Sequence, residues 1–154
     1  MENKYFKRKT ANHYLVLCIQ YAEINRMYKN IAKKQIYKDH FEVIMQIKPS
    51  EMSRTYRVKI TYKYGHIPRA ILLEPKLEKY KDEYPHHIYG FDKKGHANLC
   101  VFKRGVDQWN HETSIAKTFI PWVFTWLNTY EYWLITGKWH YDEVLVNGII
   151  REQD

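Results

Sequence analysis

The residues most capable of covalent chemistry lie together in one stretch of the chain, from Pro85 to Trp109. It reads PHHIYGFDKKGHANLCVFKRGVDQW, so that paired histidines and a glycine-punctuated loop precede Cys100 on a short apolar run. A cysteine becomes a useful nucleophile where its thiolate is favoured and partly accessible. A polar loop that carries histidines and leads into a short strand favours both conditions, which makes Cys100 a candidate nucleophile.

The apolar neighbours of Cys100, Leu99 and Val101, keep a second interpretation open. A free cysteine between two aliphatic residues is often a small buried hydrophobe without a chemical role. The other cysteine, Cys18, lies beside Leu17 in an apolar part of the N-terminal region, and we expect it to be buried. Alkylation of the folded protein should therefore favour Cys100.

A metal site is a third interpretation of the same stretch. Residue types that zinc accepts as ligands are present there: His86, His87, His96 and Cys100. Their spacing matches no zinc pattern, and adjacent histidines rarely bind one ion. We therefore predict that the chain holds no metal and no other cofactor.

Length and cysteine content set the outer limits. The chain has 154 residues, a length that suits one domain with a packed core. Its two cysteines are too few for a disulfide framework. Because two cysteines in segments of different character indicate a reducing compartment, we expect a cytoplasmic protein. The apolar run YLVLCIQYA is far shorter than the roughly 20 residues that span a bilayer, so we expect neither export nor membrane insertion.

The chain carries a formal net charge of +8. Clustered Lys and Arg gain affinity for nucleic acid by releasing counterions from phosphate, but here the lysines are spread along the chain with acidic residues between them. A solvated basic surface is the better interpretation, and nucleic acid is not the expected partner. An acidic protein partner would use the same charge to speed encounter.

An amphipathic helix is predicted from Thr10 to about Lys34, with Thr10 or Asn12 as its cap. Lysines near its predicted end complement the helix dipole. Its apolar stripe recurs at steps of three and four and comprises Leu17, Tyr21, Ile24, Tyr28 and Ile31.

A second helical pattern begins at Thr113 or Ser114. Pro121 either kinks this helix or begins another one, and Gly137 is expected to end it. The large apolar side chains along one stripe are predicted to be core rather than a ligand site: Ile115, Phe119, Trp122, Trp126, Tyr130 and Trp133 or Leu134.

Between the helices, the alternation of apolar and polar residues is typical of β-strands. The polar stretch from Leu77 to Lys94 contains Pro85 and Gly90 and is expected to be a long loop. The predicted strands are Phe41 to Ile47, Tyr56 to Tyr64, Ala70 to Glu74 and a short fourth strand, Asn98 to Phe102, which carries Cys100. The predicted fold class is α+β, with helices packed on a four-stranded antiparallel meander.

The order of these elements and two motifs resemble the ubiquitin-conjugating enzyme (UBC) fold. The stretch YRVKITYKYGHIPRAILLEP is similar to the central strands of that family. HIYGFDKKGHANLCVF resembles its active-site signature, an HPN tripeptide followed by an aliphatic-aromatic pair, a glycine and the catalytic cysteine. The resemblance implies one UBC-like domain in which Cys100 is the catalytic cysteine.

A more specific resemblance is to bacterial members of that family, which are encoded in type II operons of cyclic-oligonucleotide antiphage signalling (CBASS). It covers roughly residues 40 to 140, and its clustered tryptophan motifs make it more specific than a cysteine loop alone. The motifs HIY, LCV, IPW, WL…YE.W and TG.W stand at His87 to Tyr89, Leu99 to Val101, Ile120 to Trp122, Trp126 to Trp133 and Thr136 to Trp139.

The sequence departs from the HPN tripeptide. Aligned on the Ile-Tyr pair that follows, the tripeptide reads Pro-His-His, and His87 stands where the family has its oxyanion-stabilising Asn. The gap from His87 to Cys100 is also longer, through an insertion around Asp92 to His96. We interpret Tyr89 as a residue that packs the loop. The candidates for the missing donor are His87, His86, His96 and, after them, Asn98.

The resemblance implies an acyl transferase. Cys100 would attack an activated C-terminal carbonyl, pass through an oxyanion stabilised by a donor such as His87, and form a thioester that an amine then receives. The chain contains no GxGxxG or GxxxxGKS/T phosphate loop, so it depends on a partner for activation. The implied partner is the operon's cGAS-like nucleotidyltransferase, whose C-terminus would be joined to Cys100 in antiphage defence. The alternative is a catalytically silent protein-binding module with the same fold.

Overall fold

The computed structural model describes residues 2–101 and 109–140, and of residues 2–11 the backbone alone. Its architecture is α+β, as predicted: an N-terminal helix, an antiparallel sheet and a C-terminal helix. Helix α1 spans Glu2–Met27 and helix α2 spans Ile120–Thr136, directly after a π-helical turn at Ile115–Phe119. The strands are β1 Ile31–Ile36, β2 His40–Ile47, β3 Tyr56–Lys63, β4 Arg69–Glu74, β5 Ile88–Phe91 and β6 Ala97–Leu99.

The six strands form one antiparallel sheet in the order β1-β2-β3-β4-β6-β5. Buried and partly exposed side chains alternate along β2 and β3, because successive residues of a strand point to opposite faces. The buried face shares one core with residues of α1 and α2. We call the other face, on which Glu42, Thr61 and Arg69 lie side by side, the outer face.

The aromatic stripe of the C-terminal helix belongs to the core, as predicted. Trp126 is fully buried and its ring stacks on Tyr130 at a centroid distance of 5.5 Å. Tyr130 in turn stacks on Trp133 at 6.2 Å. Such aromatic pairs contribute about 0.5–1.5 kcal/mol beyond the area that they bury. Trp122 and Leu134 pack against this core and remain half-buried.

The limits of α2 follow its capping signals. Ser114 Oγ accepts a hydrogen bond from Lys117 N at 3.0 Å, at the start of the π-helical turn. Pro121 stands in the first turn of α2, where its missing N–H costs no hydrogen bond. Gly137 ends the helix at a φ of 74°, a left-handed conformation that glycine adopts without strain. Of the two alternatives predicted for Pro121, the structure shows the start of a helix, because α2 begins at Ile120; the prediction that Gly137 ends the helix is confirmed.

The prediction for the N-terminal helix is wrong at both ends. The helix begins at Glu2, upstream of both proposed caps, and ends at Met27 rather than near Lys34. Of the lysines expected near its end, Lys33 and Lys34 belong to β1, which pairs with β2, and Lys29 lies between α1 and β1. Ile31 continues the helical spacing of the preceding stripe, so periodicity did not separate the two elements. Pairing with β2 gives this segment backbone partners that its own sequence does not specify.

The predicted strand number is also wrong, since the sheet has six strands rather than four. Besides β1, the additional strand is β5, which lies inside the stretch that was expected to be a loop. It forms a hairpin with β6, and the Asp92 carboxylate closes the turn by accepting hydrogen bonds from Lys94 N and His96 N, both at 2.9 Å. A strand of four half-exposed and exposed residues gives too weak a pattern to predict.

The strand predicted to carry Cys100 is shorter than expected. It ends at Leu99, and Cys100 follows it directly. Phe102, the predicted end of that strand, lies outside the described residues.

One buried polar side chain connects α1 to the start of the C-terminal helix. Gln20 is 5% exposed, and its amide donates to the carbonyl oxygens of His111 and Thr113 at 3.0 and 2.7 Å. Its Oε1 accepts a hydrogen bond from Ile115 N at 3.0 Å. Because three backbone groups depend on this one amide, Gln20 fixes where the π-helical turn begins relative to α1.

We expect Gln20→Leu to lower the free energy of unfolding by about 2 kcal/mol, because it leaves the buried Ile115 N–H without its partner. The thermal midpoint, followed by circular dichroism, should fall by roughly 4–8 °C. Gln46→Leu makes the same chemical change at an exposed position of β2 and serves as the matched control. Equal midpoints for the two variants would contradict this role of Gln20.

Candidate active site

Cys100 lies directly after β6, and its backbone extends the pairing of β5 with β6. The Cys100 N–H donates to the carbonyl oxygen of His87 at 3.0 Å, one step beyond the pair formed by Ile88 and Leu99. The same oxygen accepts a hydrogen bond from Trp126 Nε1 at 3.0 Å. This carbonyl therefore fixes the backbone of Cys100 relative to both β5 and helix α2.

The ring of His87 lies among the tryptophans of the C-terminal region. It stacks on Trp139 at a centroid distance of 5.0 Å and an angle of 20°. Trp139 meets Trp126 edge-on at 5.1 Å, and Trp126 is fully buried. Stacking on this indole sets the orientation of the imidazole.

The Tyr89 side chain interacts with the Cys100 thiol. Burial of the phenol group and, next, its hydrogen bond with the Cys100 thiol raise the pKa of Tyr89 to about 12. The hydroxyl therefore keeps its proton at neutral pH and is a hydrogen-bond donor beside the sulfur. The interpretation of Tyr89 as a loop packing residue is wrong, because 58% of the side chain is exposed.

A pocket of about 270 Å³ lies next to this pair on the outer face. The strand register places Arg69 opposite Cys100, one step beyond the pair formed by Ala70 and Leu99. The pocket therefore combines a cationic and an amide side chain with apolar ones. Its lining residues are Ile67, Pro68, Arg69, Tyr89, Asn98 and Leu99.

His86 and His96 are placed differently from His87. His86 is 84% exposed, and its Nε2 lies 3.9 Å from the carboxylate of Glu83. His96 lies at the far end of β6, with its Nδ1 3.2 Å from the carboxylate of Asp92. At about 3.3 Å per residue, the four steps from His96 to Cys100 span roughly 13 Å. Across the described ranges, no three His, Cys, Asp or Glu side chains are grouped to hold a metal ion.

The expectation that Cys18 is buried is wrong, since both free cysteines are half-buried. Cys18 is one residue, or about 100° of helical rotation, from the fully buried Leu17, which places it at the edge of the buried stripe. A hydrogen bond with Cys18 raises the pKa of Tyr14. Accessibility alone therefore does not distinguish Cys100 from Cys18.

The sequence singled out Cys100 and His87 as candidates, but it did not single out Tyr89 and Arg69, which the structure places near Cys100. Tyr89 belongs to the HIY motif, and its position one residue after Ile88, which pairs with Leu99, directs it away from the core. Arg69 follows Pro68, and no motif in the sequence marks it as a site residue. Only the pairing of β4 with β6 brings it to Cys100.

We expect Tyr89→Phe to slow the alkylation of Cys100 by iodoacetamide roughly threefold at neutral pH, because the thiolate loses a hydrogen-bond donor. Tyr14→Phe is the matched control, because it removes the corresponding hydroxyl from Cys18 and should leave the Cys100 rate unchanged. Mass spectrometry of tryptic peptides gives the rate for each cysteine. A Cys100 rate that is the same in Tyr89→Phe as in the unaltered protein would show that this hydroxyl does not support the thiolate.

Neither helix among the described residues has the length and apolar character that crossing a bilayer requires.

The chain matches one protein-family model, E2-CBASS, described as type II CBASS E2 protein, over residues 20–146. The match includes the whole sheet, Cys100, the tyrosine and histidine beside it, and helix α2. A search of curated proteins found no match. Because the family match covers most of the chain, and the motifs around Cys100 and the tryptophans fall within it, this chain belongs to the family of type II CBASS E2 proteins.

Proposed function

We propose that this protein is an acyl-transfer enzyme of the ubiquitin-conjugating type and that Cys100 carries the acyl group as a thioester. The placement of Cys100 at the end of β6, with its N–H on the carbonyl oxygen of His87 and with Tyr89 and a pocket beside it, is the observation that carries this proposal. Membership of an E2 family supports it. Cys18 has a similar tyrosine contact, but it lies outside the family match, which begins at residue 20.

The proposed reaction has two steps. The Cys100 thiolate attacks the carbonyl carbon of an activated C-terminus, a C–S bond forms, and the π electrons of the carbonyl move to its oxygen. The oxyanion collapses and expels the activating group, as AMP from an adenylate or as a thiolate from a thioester. A lysine amine then attacks the new thioester, so that a C–N bond forms, the C–S bond breaks, the amine loses a proton to solvent and the thiolate returns.

His87 is our first candidate for a donor to that oxyanion, because it stands where the related enzymes have Asn. Its carbonyl holds the Cys100 amide, and Trp139 orients its ring. His86 and His96 are the alternatives that the sequence offers. We favour His87 because the side chain of His86 is exposed to solvent and because the length of β6 separates His96 from Cys100.

For the donor of the acyl group we propose another CBASS protein, the cGAS-like nucleotidyltransferase, through its C-terminus. Family membership places this chain in a CBASS context. These 154 residues contain no phosphate-binding loop motif, which supports a source of carboxylate activation outside them. The net charge of +8 suits an acidic surface on the partner.

We expect His87→Ala to slow thioester formation by on the order of tenfold or more, because an oxyanion would lose a hydrogen-bond donor. His86→Ala removes the adjacent, exposed imidazole and should leave the rate within about twofold. The measurement is the initial rate of conjugate formation with the CBASS operon proteins and ATP. An unchanged rate in His87→Ala would move the role to another group.

The covalent step itself is tested with Cys100 variants. The conjugate of the unaltered protein should be cleaved by excess thiol, because a competing thiolate attacks the thioester carbonyl. Cys100→Ser should give an oxyester that resists thiol and yields to base, whereas Cys100→Ala should give no conjugate and still bind its partner.

Gel electrophoresis with and without thiol separates these outcomes. If all three proteins bind the partner equally and no thiol-labile species appears with the full set of operon proteins and ATP, the chain is a silent binding module and the proposal is wrong.

A further inference from the structure

We propose that the side-chain amide of Asn98 is a further catalytic group, which donates a hydrogen bond to the carbonyl oxygen of the acyl group as it is transferred to Cys100. This inference rests on the proposed function. It assigns a second oxyanion donor in addition to His87, on the outer face and two residues before the nucleophile.

The first support is the strand geometry. Asn98 and Cys100 are two residues apart at the end of β6, so their side chains point to the same face of the sheet. Leu99, between them, is 2% exposed and points into the core. The amide of Asn98 and the thiol of Cys100 therefore both lie on the outer face, where the pocket opens.

The second support is the hydrogen bonding of the amide. Asn98 Oδ1 is buried and has no hydrogen-bond partner among the described residues. Asn98 Nδ2 is not buried, and none of the residues that the structure describes accepts a hydrogen bond from it. A buried polar atom without a partner is rare in proteins and calls for an explanation. An amide that is kept unpaired, with its N–H₂ group open to the pocket, is available to a ligand oxygen.

The third support is the space around the amide. Asn98 pairs with Gly90 on β5, and a Cβ placed on Gly90 would meet no atom within 4 Å. The neighbour on that side therefore leaves the amide uncovered. Asparagine is itself disfavoured within strands, so neither strand propensity nor hydrogen bonding among the described residues accounts for this residue.

The local charge favours an anion at the same place. Arg69 lies opposite Cys100 in the strand register and forms no ion pair with any residue in the described ranges. A guanidinium beside a pocket stabilises negative charge that develops there. Asn98 would donate a directed hydrogen bond to the oxyanion, and the positive charge of Arg69 would supply a favourable electrostatic field.

The chemistry can be measured without the natural donor. N-acetylglycine as its thioester with mercaptoethanesulfonate acylates a thiol directly: the Cys100 thiolate attacks the carbonyl, the oxyanion forms and collapses, and mercaptoethanesulfonate leaves as a thiolate. Iodoacetamide alkylates the same sulfur by displacing iodide, with no oxyanion on the path. Since both reactions need the thiolate, the ratio of acylation rate to alkylation rate isolates stabilisation of the oxyanion.

The experiment uses the full chain with Cys18→Ser, so that intact mass reports Cys100 alone. We expect Asn98→Ala to lower the acylation rate at least tenfold and to leave alkylation within about twofold. Asn98→Asp should lower acylation further, because a carboxylate repels the oxyanion. Asn98→Val should slow acylation and also raise the thermal midpoint, since it removes the unpaired amide from a strand. Gln46→Ala, an exposed amide on β2, should change neither rate.

The outcomes separate the inference from the proposed function. If the ratio for the Cys18→Ser protein equals that of free N-acetylcysteine, Cys100 has no acyl-transfer site, and the proposed function fails together with the inference. If the ratio exceeds that of N-acetylcysteine but is the same in Asn98→Ala, the function stands and the role of Asn98 is wrong. Equal losses in both rates would assign Asn98 a structural role and would also overturn the inference.

Discussion

The carbonyl oxygen of His87 is the point on which the candidate site depends. A backbone carbonyl has two lone pairs, and here one accepts the Cys100 N–H and the other accepts Trp126 Nε1. The edge of the sheet, the cysteine and helix α2 are thus joined at one atom. Gln20 in turn fixes the segment before α2 relative to α1. A nucleophile held by rigid elements in this way keeps its geometry through the reaction.

The tryptophans that made the sequence recognisable have a physical role in this arrangement. Trp126 and Trp139 surround His87, one through its indole N–H and the other through its ring face. Gly137 allows the chain to turn from α2 towards Trp139, and a side chain there would collide with the ring of Tyr80. The motifs of the C-terminal helix therefore support the cysteine loop rather than the chemistry itself.

The sequence was sufficient to predict the helices and strands whose local sequence signals agree with their pattern of burial. Alternation predicted β2, β3 and β4, and Ser114, Pro121 and Gly137 marked the limits of the C-terminal helix. It failed where strand pairing decides the structure: β1 and β5 contain no buried residue, and each gains its backbone hydrogen bonds from a neighbouring strand. The same limit applies to the candidate site. Cys100 could be proposed from its residue type alone, whereas the position of Arg69 opposite Cys100 follows from the register of β4 and β6.

The proposed function depends on which residue carries the acyl group. The most direct measurement is tandem mass spectrometry of the conjugate formed with the CBASS operon proteins and ATP, quenched in acid to preserve thioesters. The account predicts that the tryptic peptide containing Cys100 carries the C-terminal peptide of the partner, through a bond that neutral hydroxylamine cleaves. Attachment at Cys18, or an acyl group found only on lysines with Cys100 never modified, would contradict it.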